Sequence, residues 1–549
     1  MQTPEPGPRS FTNGMIKEMK RLLKEEGYVS IDELHTRLMN RKAELYCVPF
    51  HGKLRIGPTE KSIWLRPFGR LPDTSQSEDW TVAVKVIIRM TERLDEARIK
   101  QLCHWLRTDA PNTVSGVRAE KILFRTADID KFIQQDLADR KNPLVRTLGQ
   151  PDLEDIQSAW SDIQSLIHQY TAQKQSSPLS QTNSQSAREL SRRFLDEMDK
   201  GNSKIVETLE QSVLLSDEYS VPSMIEQAIE ESSSERLGIK DHLKLRKIVC
   251  AKSTDYGEQR TREEPSEVPR ERVWEESKEY GENQSDAYIE DIRERVALLA
   301  KVLECGKPED FRALRLIRWE HQVFQYQFVY HFEIPQIYEG RPQSLFKAIK
   351  EPLSRTRPSL DQRFDMARCV AKAVQHWHSV GWVHQGICSH HILFFIGKNQ
   401  EMDFSLPYLQ GFDFSRPNLK PSLGRYVDDI QYDVYRHPER QGPSRDGHRK
   451  SHDLYSLGVV LLEIGLWRRA IDIITDATRK KKFTKEDVQK ILIDAAKTRL
   501  PHYAGTNYQQ AVCACLESEF GVGEDEGSRL ARAVRERVIG KLCVGISFH

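Results

Sequence analysis

Apolar residues recur at helical spacing over long stretches of this chain, and short runs of alternating pattern separate them. Near the start, Met15, Ile16, Met19, Leu22 and Leu23 mark one face of a helix over residues 11–24. A second helix is predicted over 31–39, with Ser30 as N-cap and Glu33 completing a capping-box pattern. Strand-like runs follow at 45–50 and 62–68. Between residues 80 and 90, Trp80, Val82, Val84, Val86 and Ile88 alternate with polar residues, the pattern of a half-buried strand. A helix over 94–106 and a strand over 117–124 complete a strand–helix–strand order that predicts an α/β layer.

The middle of the chain reads as helical. Leu153, Ile156, Trp160, Ile163 and Ile167 form one stripe; Leu190, Phe194, Met198, Ile205, Leu209 and Val213 form another. Polar stretches at 173–186 and 253–270 read as linkers. Beyond them, a strand is predicted at 273–278 and a helix at 288–303, with Ile292, Val296, Leu299 and Val302 on its apolar side. Residues 324–332 read as a further strand. An amphipathic helix follows over 360–379, and a strongly apolar one runs from Asp453 to Leu466.

Length and composition bound the reading. A chain of 549 residues exceeds one core, so two to four domains are expected. Lysine plus arginine number 82 against 81 aspartate plus glutamate, which gives nucleic-acid binding no support. The most apolar run, Leu457 to Trp467, is short and carries Glu463, so it reads as a buried helix and not as a membrane span. The opening residues Met1 to Pro6 lack the basic and apolar segments of a signal peptide. Nine scattered cysteines suit a reducing compartment, and a cytoplasmic location is expected. Cys513 and Cys515 have no second ligand pair nearby, and no metal site is expected there.

The candidate chemistry lies between His384 and Asp453. A protein kinase needs a glycine-rich turn to approach phosphates, a lysine paired with a glutamate, an H-R-D aspartate as base, and an asparagine and a D-F-G aspartate to hold magnesium. In the order and spacing of those motifs, the chain has His384-Gln385-Gly386-Ile387-Cys388-Ser389-His390-His391. The base position is thus Gly386, the loop lysine Cys388 and the asparagine His391. Gly386 cannot accept a proton, and a histidine is a poor ligand for magnesium. The magnesium loop admits two registers. One puts Gly411 at the aspartate position and Phe412 at the phenylalanine; the other keeps Asp413 as the aspartate. Between Ser232 and Arg272 only Gly238 and Gly257 occur, so the phosphate cradle is missing. Lys278 stands where the conserved-role lysine belongs, with Glu290 or Glu294 as its expected partner. His384, Phe412, Glu439 of His437-Pro438-Glu439, and Asp453 occupy scaffold positions. Zinc ligation by His384, Cys388, His390 and His391 is the competing reading of the loop, and the kinase register accounts for the run without it.

These motifs, with Gly381-Trp382-Val383-His384, His391 to Phe395, Leu409 to Pro417, Tyr435 to Glu439 and His452 to Trp467, resemble the kinase-like (pseudokinase) domain of fungal HeLo, or prion-inhibition and propagation, proteins. The resemblance covers about residues 235–545. It implies an α+β, bilobal protein-kinase-like fold with a small β-rich lobe and a helical lobe. Residues 10–130, through Phe11-Thr12, Leu34-His35, Ser62 to Leu65, Trp105-Leu106 and Pro111, resemble an accessory module of multidomain fungal caspase-like or hydrolase signalling proteins. The expected organisation is therefore an α/β module (1–135), helical segments with a Gln/Ser-rich linker (136–235), and a pseudokinase unit (236–545). The resemblance implies a catalytically impaired module of intracellular signalling, acting on other proteins in self/non-self recognition or cell death. ATP with magnesium is its candidate cofactor. Residues 188–235 are too short for a HeLo domain, so membrane disruption is not carried over. The alternatives are a divergent ATP-dependent kinase using Lys278, Asp413 and Asp403, and an adaptor with no nucleotide pocket. Ser422 and Tyr426 lie where a regulatory phosphosite would fall.

Overall fold

The structure is a computed structural model that describes residues 21, 29–30, 64–67, 84–87, 115–176, 184–251, 269–350, 357–397, 401–418, 430–441, 447–478, 485–521 and 527–543. The chain divides into two compact units, Met1–Leu102 and Cys103–His549. The described part is a mixed α+β protein, mostly helical, with small antiparallel sheets.

In the first unit, strands β1 (Val29–Ser30), β2 (Trp64–Pro67) and β3 (Val84–Ile87) form an antiparallel sheet in that order. β2 and β3 fall within the predicted runs 62–68 and 80–90. The predicted helices at 11–24, 31–39 and 94–106 and the run at 45–50 lie outside the described residues.

The second unit opens with helices. The strand expected at 117–124 is part of helix α1 (Ser115–Gln135). Its buried residues Ile122, Thr126, Ile129 and Phe132 recur every three or four positions, a period that a window ending at Phe124 cuts off. α2 (Gln150–Ser176) and α3 (Ser184–Leu214) pair, and Asn202 of α3 donates to Thr126 Oγ1 of α1 at 2.8 Å. Both helices reach into the expected linker at 173–186. α4 (Pro222–Glu230) and α5 (Lys240–Cys250) follow. The compact units part at residues 102 and 103, and the expected domain edges at 135 and 235 both fall inside the second unit.

β4 (Val273–Glu279), helix α6 (Asp286–Glu304), β5 (Arg315–Gln322) and β6 (Gln327–Glu333) come next. The sheet order is β4-β6-β5, antiparallel throughout, with Lys278 opposite Phe328. α6 packs on β5 through an apolar stripe that includes Ile292, Val296 and Leu299. After β7 (Tyr338–Ser344), helix α7 (Leu360–Ser379) begins at a capping box: Gln362 N–H donates to Ser359 Oγ at 3.2 Å and Ser359 N–H to Gln362 Oε1 at 2.9 Å. β8 (Trp382–Val383) pairs with β11 (Arg416–Pro417), and β9 (Ile392–Gly397) lies between β7 and β10 (Tyr408–Leu409). These short ladders hold the loops 384–391 and 410–415 side by side. Below them runs α8 (Lys450–Leu466), buried from His452 to Leu466, followed by α9 (Ala470–Thr478), α10 (Lys485–Tyr503), α11 (Gly505–Leu516) and α12 (Gly527–Val534). No described helix is long and apolar enough to cross a membrane.

Candidate functional site

A cleft of about 240 Å³ lies where β4 faces the loops 384–391 and 410–415. Strand alternation sends Trp274, Glu276 and Lys278 to one side of β4. Trp274 and Glu276 line the cleft with His390, His391, Gln410, Gly411 and Asp413. Trp274 Nε1 donates to Glu276 Oε1 at 3.2 Å, and Gly411 N–H donates to Glu276 Oε2 at 3.0 Å. Burial raises the Glu276 carboxyl, against the opposing charge of His391.

Lys278 is only 5% exposed. Its ammonium donates to the Asp413 carbonyl and stands 5.1 Å from the centre of the Phe414 ring. Burial lowers it to about 8, partly offset by the Asp413 charge. Asp413 is raised by burial, with His391 and Lys278 pulling the other way. The expected partners do not supply this neutralisation. Glu290 is exposed and bridges Arg293 at 3.7 Å, and Glu294 is exposed too. Both sit about 160° around α6 from buried Ile292, on the side turned away from the packed face. Asp403 accepts from Tyr338 Oη at 3.0 Å and from the Ser405 backbone at 2.9 Å, a turn-fixing role.

Gly386, His391 and Gly411 interlock across the two loops. A Cβ on Gly386 would lie 2.6 Å from the Gly411 carbonyl oxygen. A Cβ on Gly411, whose φ is +81°, would lie 2.1 Å from His391 Nδ1. His391 Nδ1–H donates to the Gly386 carbonyl at 2.6 Å, which fixes the ring there. The imidazole thus fills the space into which a side chain at 411 would project. Cys388 sits beside the side chains of His390 and His391. Burial pushes the Cys388 thiol up, but the adjacent His391, with His390, brings it below its ordinary value; His391 is correspondingly raised despite its burial. At 3% exposure, Cys388 offers no path to an incoming electrophile.

Phe412 is buried and packs on His384 at 4.5 Å and on Trp377 at 5.0 Å between ring centres. Asp453, at the start of α8, accepts the backbone N–H groups of His384 at 2.8 Å and Gln385 at 2.9 Å. It also meets His378 Nε2 at 3.0 Å and His448 Nε2 at 2.8 Å. Burial would raise its carboxyl, but His448 and His378 hold it well below the usual range. Burial, helped by the charges of His391, His378 and His448 and opposed by Asp453, drives the His384 ring down to about 3, and its Nδ1 accepts from Gly386 N–H at 3.2 Å. Glu439, expected at a scaffold position, sits in a 3-10 turn at Pro438–Arg440, its side chain 61% exposed and 3.3 Å from His452 Nε2. His384, Cys388, His390 and His391 do not gather as a ligand set among the described residues. Ser422, Tyr426, His35 and His51 lie outside them.

Gln410 went unassigned in the sequence. It is fully buried, and neither amide atom meets a hydrogen-bond partner among the described residues. Its only sequence signal is an amide inside an otherwise apolar run beside the loop. A family model described as a domain of unknown function, DUF7580, matches residues 284–545. The match takes in both loops and α8 and begins after β4, so Lys278 precedes it.

Proposed function

We propose that residues 269–543 form a bilobal kinase-like unit that has lost phosphoryl transfer and works by binding, as an interaction module in intracellular signalling. The observation that carries this reading is the interlock of Gly386, Gly411 and His391. In the register that puts Gly411 at the magnesium aspartate, the base and metal positions carry no carboxylate, and their space is taken by backbone and imidazole. The sheet order β4-β6-β5 with α6 between its first two strands supports the kinase-like reading, as does Asp453 holding the His384 loop from below. Gln410 supports a binding role, because a buried amide without partners carries a desolvation cost of roughly 1–3 kcal/mol that a polar ligand would relieve. The likeness to fungal HeLo-associated units extends the proposal to self/non-self recognition or cell-death signalling through other proteins, in the cytoplasm.

The second reading is a divergent ATP-dependent enzyme, favoured by the placing of Lys278 against Asp413 at the cleft. Thermal shift of the full chain with ATP, with and without magnesium, separates the two. A ligand at a hundred times its Kd adds about 2.7 kcal/mol. The expected result is no magnesium-dependent shift and no phosphoryl transfer. Transfer that requires magnesium and disappears in Lys278→Met and Asp413→Ala would establish the enzyme instead. No shift at all with ATP fits the adaptor form, for which the small cleft also speaks, being below the roughly 300–1,000 Å³ of drug-sized sites.

A further inference from the structure

Away from the cleft, three helices converge on one carboxylate. Glu210 of α3 and His242 of α5 are buried, and His376 of α7 is nearly so, its side chain 12% exposed. Glu210 Oε1 lies 3.4 Å from His242 Nε2 and 3.3 Å from His376 Nδ1. One ligand atom from each residue lies within 4.8 Å of the other two. Phe311 covers the rings, 5.2 Å from that of His242 and 5.5 Å from that of His376.

The His376–Glu210 contact is itself a hydrogen bond, but both contacts are long for a charged pair: a charge-assisted N–H···O bond to a carboxylate runs about 2.7–2.9 Å. Zinc binds imidazole nitrogen at about 2.0–2.1 Å and carboxylate oxygen at about 2.0–2.2 Å, so ligand atoms on a tetrahedral ion stand about 3.3–3.5 Å apart. Both edges from Glu210 Oε1 fall in or at that range. A six-coordinate ion at the same bond lengths would draw them to about 3.0 Å and would need further open positions, for which this buried, Phe311-covered setting leaves little room. The charges around the site also suit a cation. Asp310 adds its negative field to Glu210 and His376, while the nearby Lys372 is already neutralised by Glu207 at 2.7 Å.

We propose that Glu210, His242 and His376 bind a zinc ion that fastens α3 and α5 to α7. Two imidazoles and a carboxylate form a donor set zinc takes readily, with water as the fourth ligand. A second histidine group, His437, Glu439 and His452, makes a weaker case. Its carboxylate is exposed, His437 Nδ1 stands 3.8 Å from it, and that nitrogen already accepts from Glu439 N–H.

The test uses untagged full-length protein. Expected are one tightly held zinc per chain, a melting temperature that falls on chelation and returns with added zinc, and the intense visible absorption of tetrahedral Co2+ on cobalt substitution. Glu210→Gln and His376→Gln should weaken zinc binding by more than the roughly 10–100-fold that outer-shell changes cost. His437→Gln with His452→Gln should leave it unchanged. If the variants at 210 and 376 fail to fold, the chelation and cobalt measurements on the unaltered chain decide. No saturable zinc binding by the metal-free protein would overturn the proposal. So would zinc retained in the Glu210→Gln, His376→Gln double variant, or zinc lost only in the His437, His452 variant.

Discussion

Gly411 shows how one missing Cβ organises the cleft. Its left-handed φ and the His391 ring both exclude a side chain, by independent causes. Gly411→Ala should therefore cost about 2–4 kcal/mol, part from the backbone and part from the clash. In a His391→Ala background only the backbone part remains, and the cost should fall to about 1–2 kcal/mol. Urea unfolding of the four proteins in that cycle measures the coupling. Equal costs in the two backgrounds would show that the imidazole does not occupy that space. That Gly386 and Gly411 bring no side chain to the cleft was legible from residue identity alone. That they interlock with His391 was not, because a clash between the 384–391 and 410–415 loops exists only once β8, β9, β10 and β11 set them side by side.

Elements meet through buried polar groups, and Glu463 near the end of α8 is the plainest case. It accepts from the N–H of Ala470, the first residue of α9, at 2.7 Å and from Tyr435 Oη at 2.8 Å. Burial raises its carboxyl to about 7, against these two bonds, from roughly 4.3 in an unfolded chain. The folded state therefore holds the extra proton between those values. The stability it contributes is fully present below about 4.3 and lost as pH rises through about 7. Glu463→Gln keeps the acceptor and removes the ionisation. Its melting temperature relative to the unaltered chain should climb between pH 5 and pH 8, by the equivalent of a few kcal/mol; a flat difference would mean that Glu463 is already ionised at pH 5. Helix α7 was read from its spacing to its last residue, and β4 and α6 to within a residue or two, since each carries its own periodicity and, for α7, its own cap. The 117–124 strand failed because a short apolar run has no period of its own. The pairing of Lys278 failed for another reason: sequence gives the carboxylates on α6 but not which of its faces meets β4.

At the scale of the molecule, the helices before residue 251 and the α+β part after residue 269 share one core. Arg532 of α12 bridges Asp152 of α2 at 2.9 Å, Lys372 of α7 bridges Glu207 of α3, and Arg246 of α5 donates to the Val380 carbonyl at 3.3 Å. A fragment of residues 269–549 should therefore aggregate or unfold at a clearly lower urea midpoint than the full chain, as gel filtration and denaturation would record. An unchanged midpoint in a monomeric fragment would mean that the helices are a detachable appendage. Residues 210, 242 and 376 are also too far apart in the chain for any spacing rule to have grouped them. The same long reach matters during synthesis. A ribosome adding about 5–20 residues per second delivers α7 roughly 8–30 s after α3. Through that interval α3, joined later by α5, lacks the α7 surface it packs against in the folded chain.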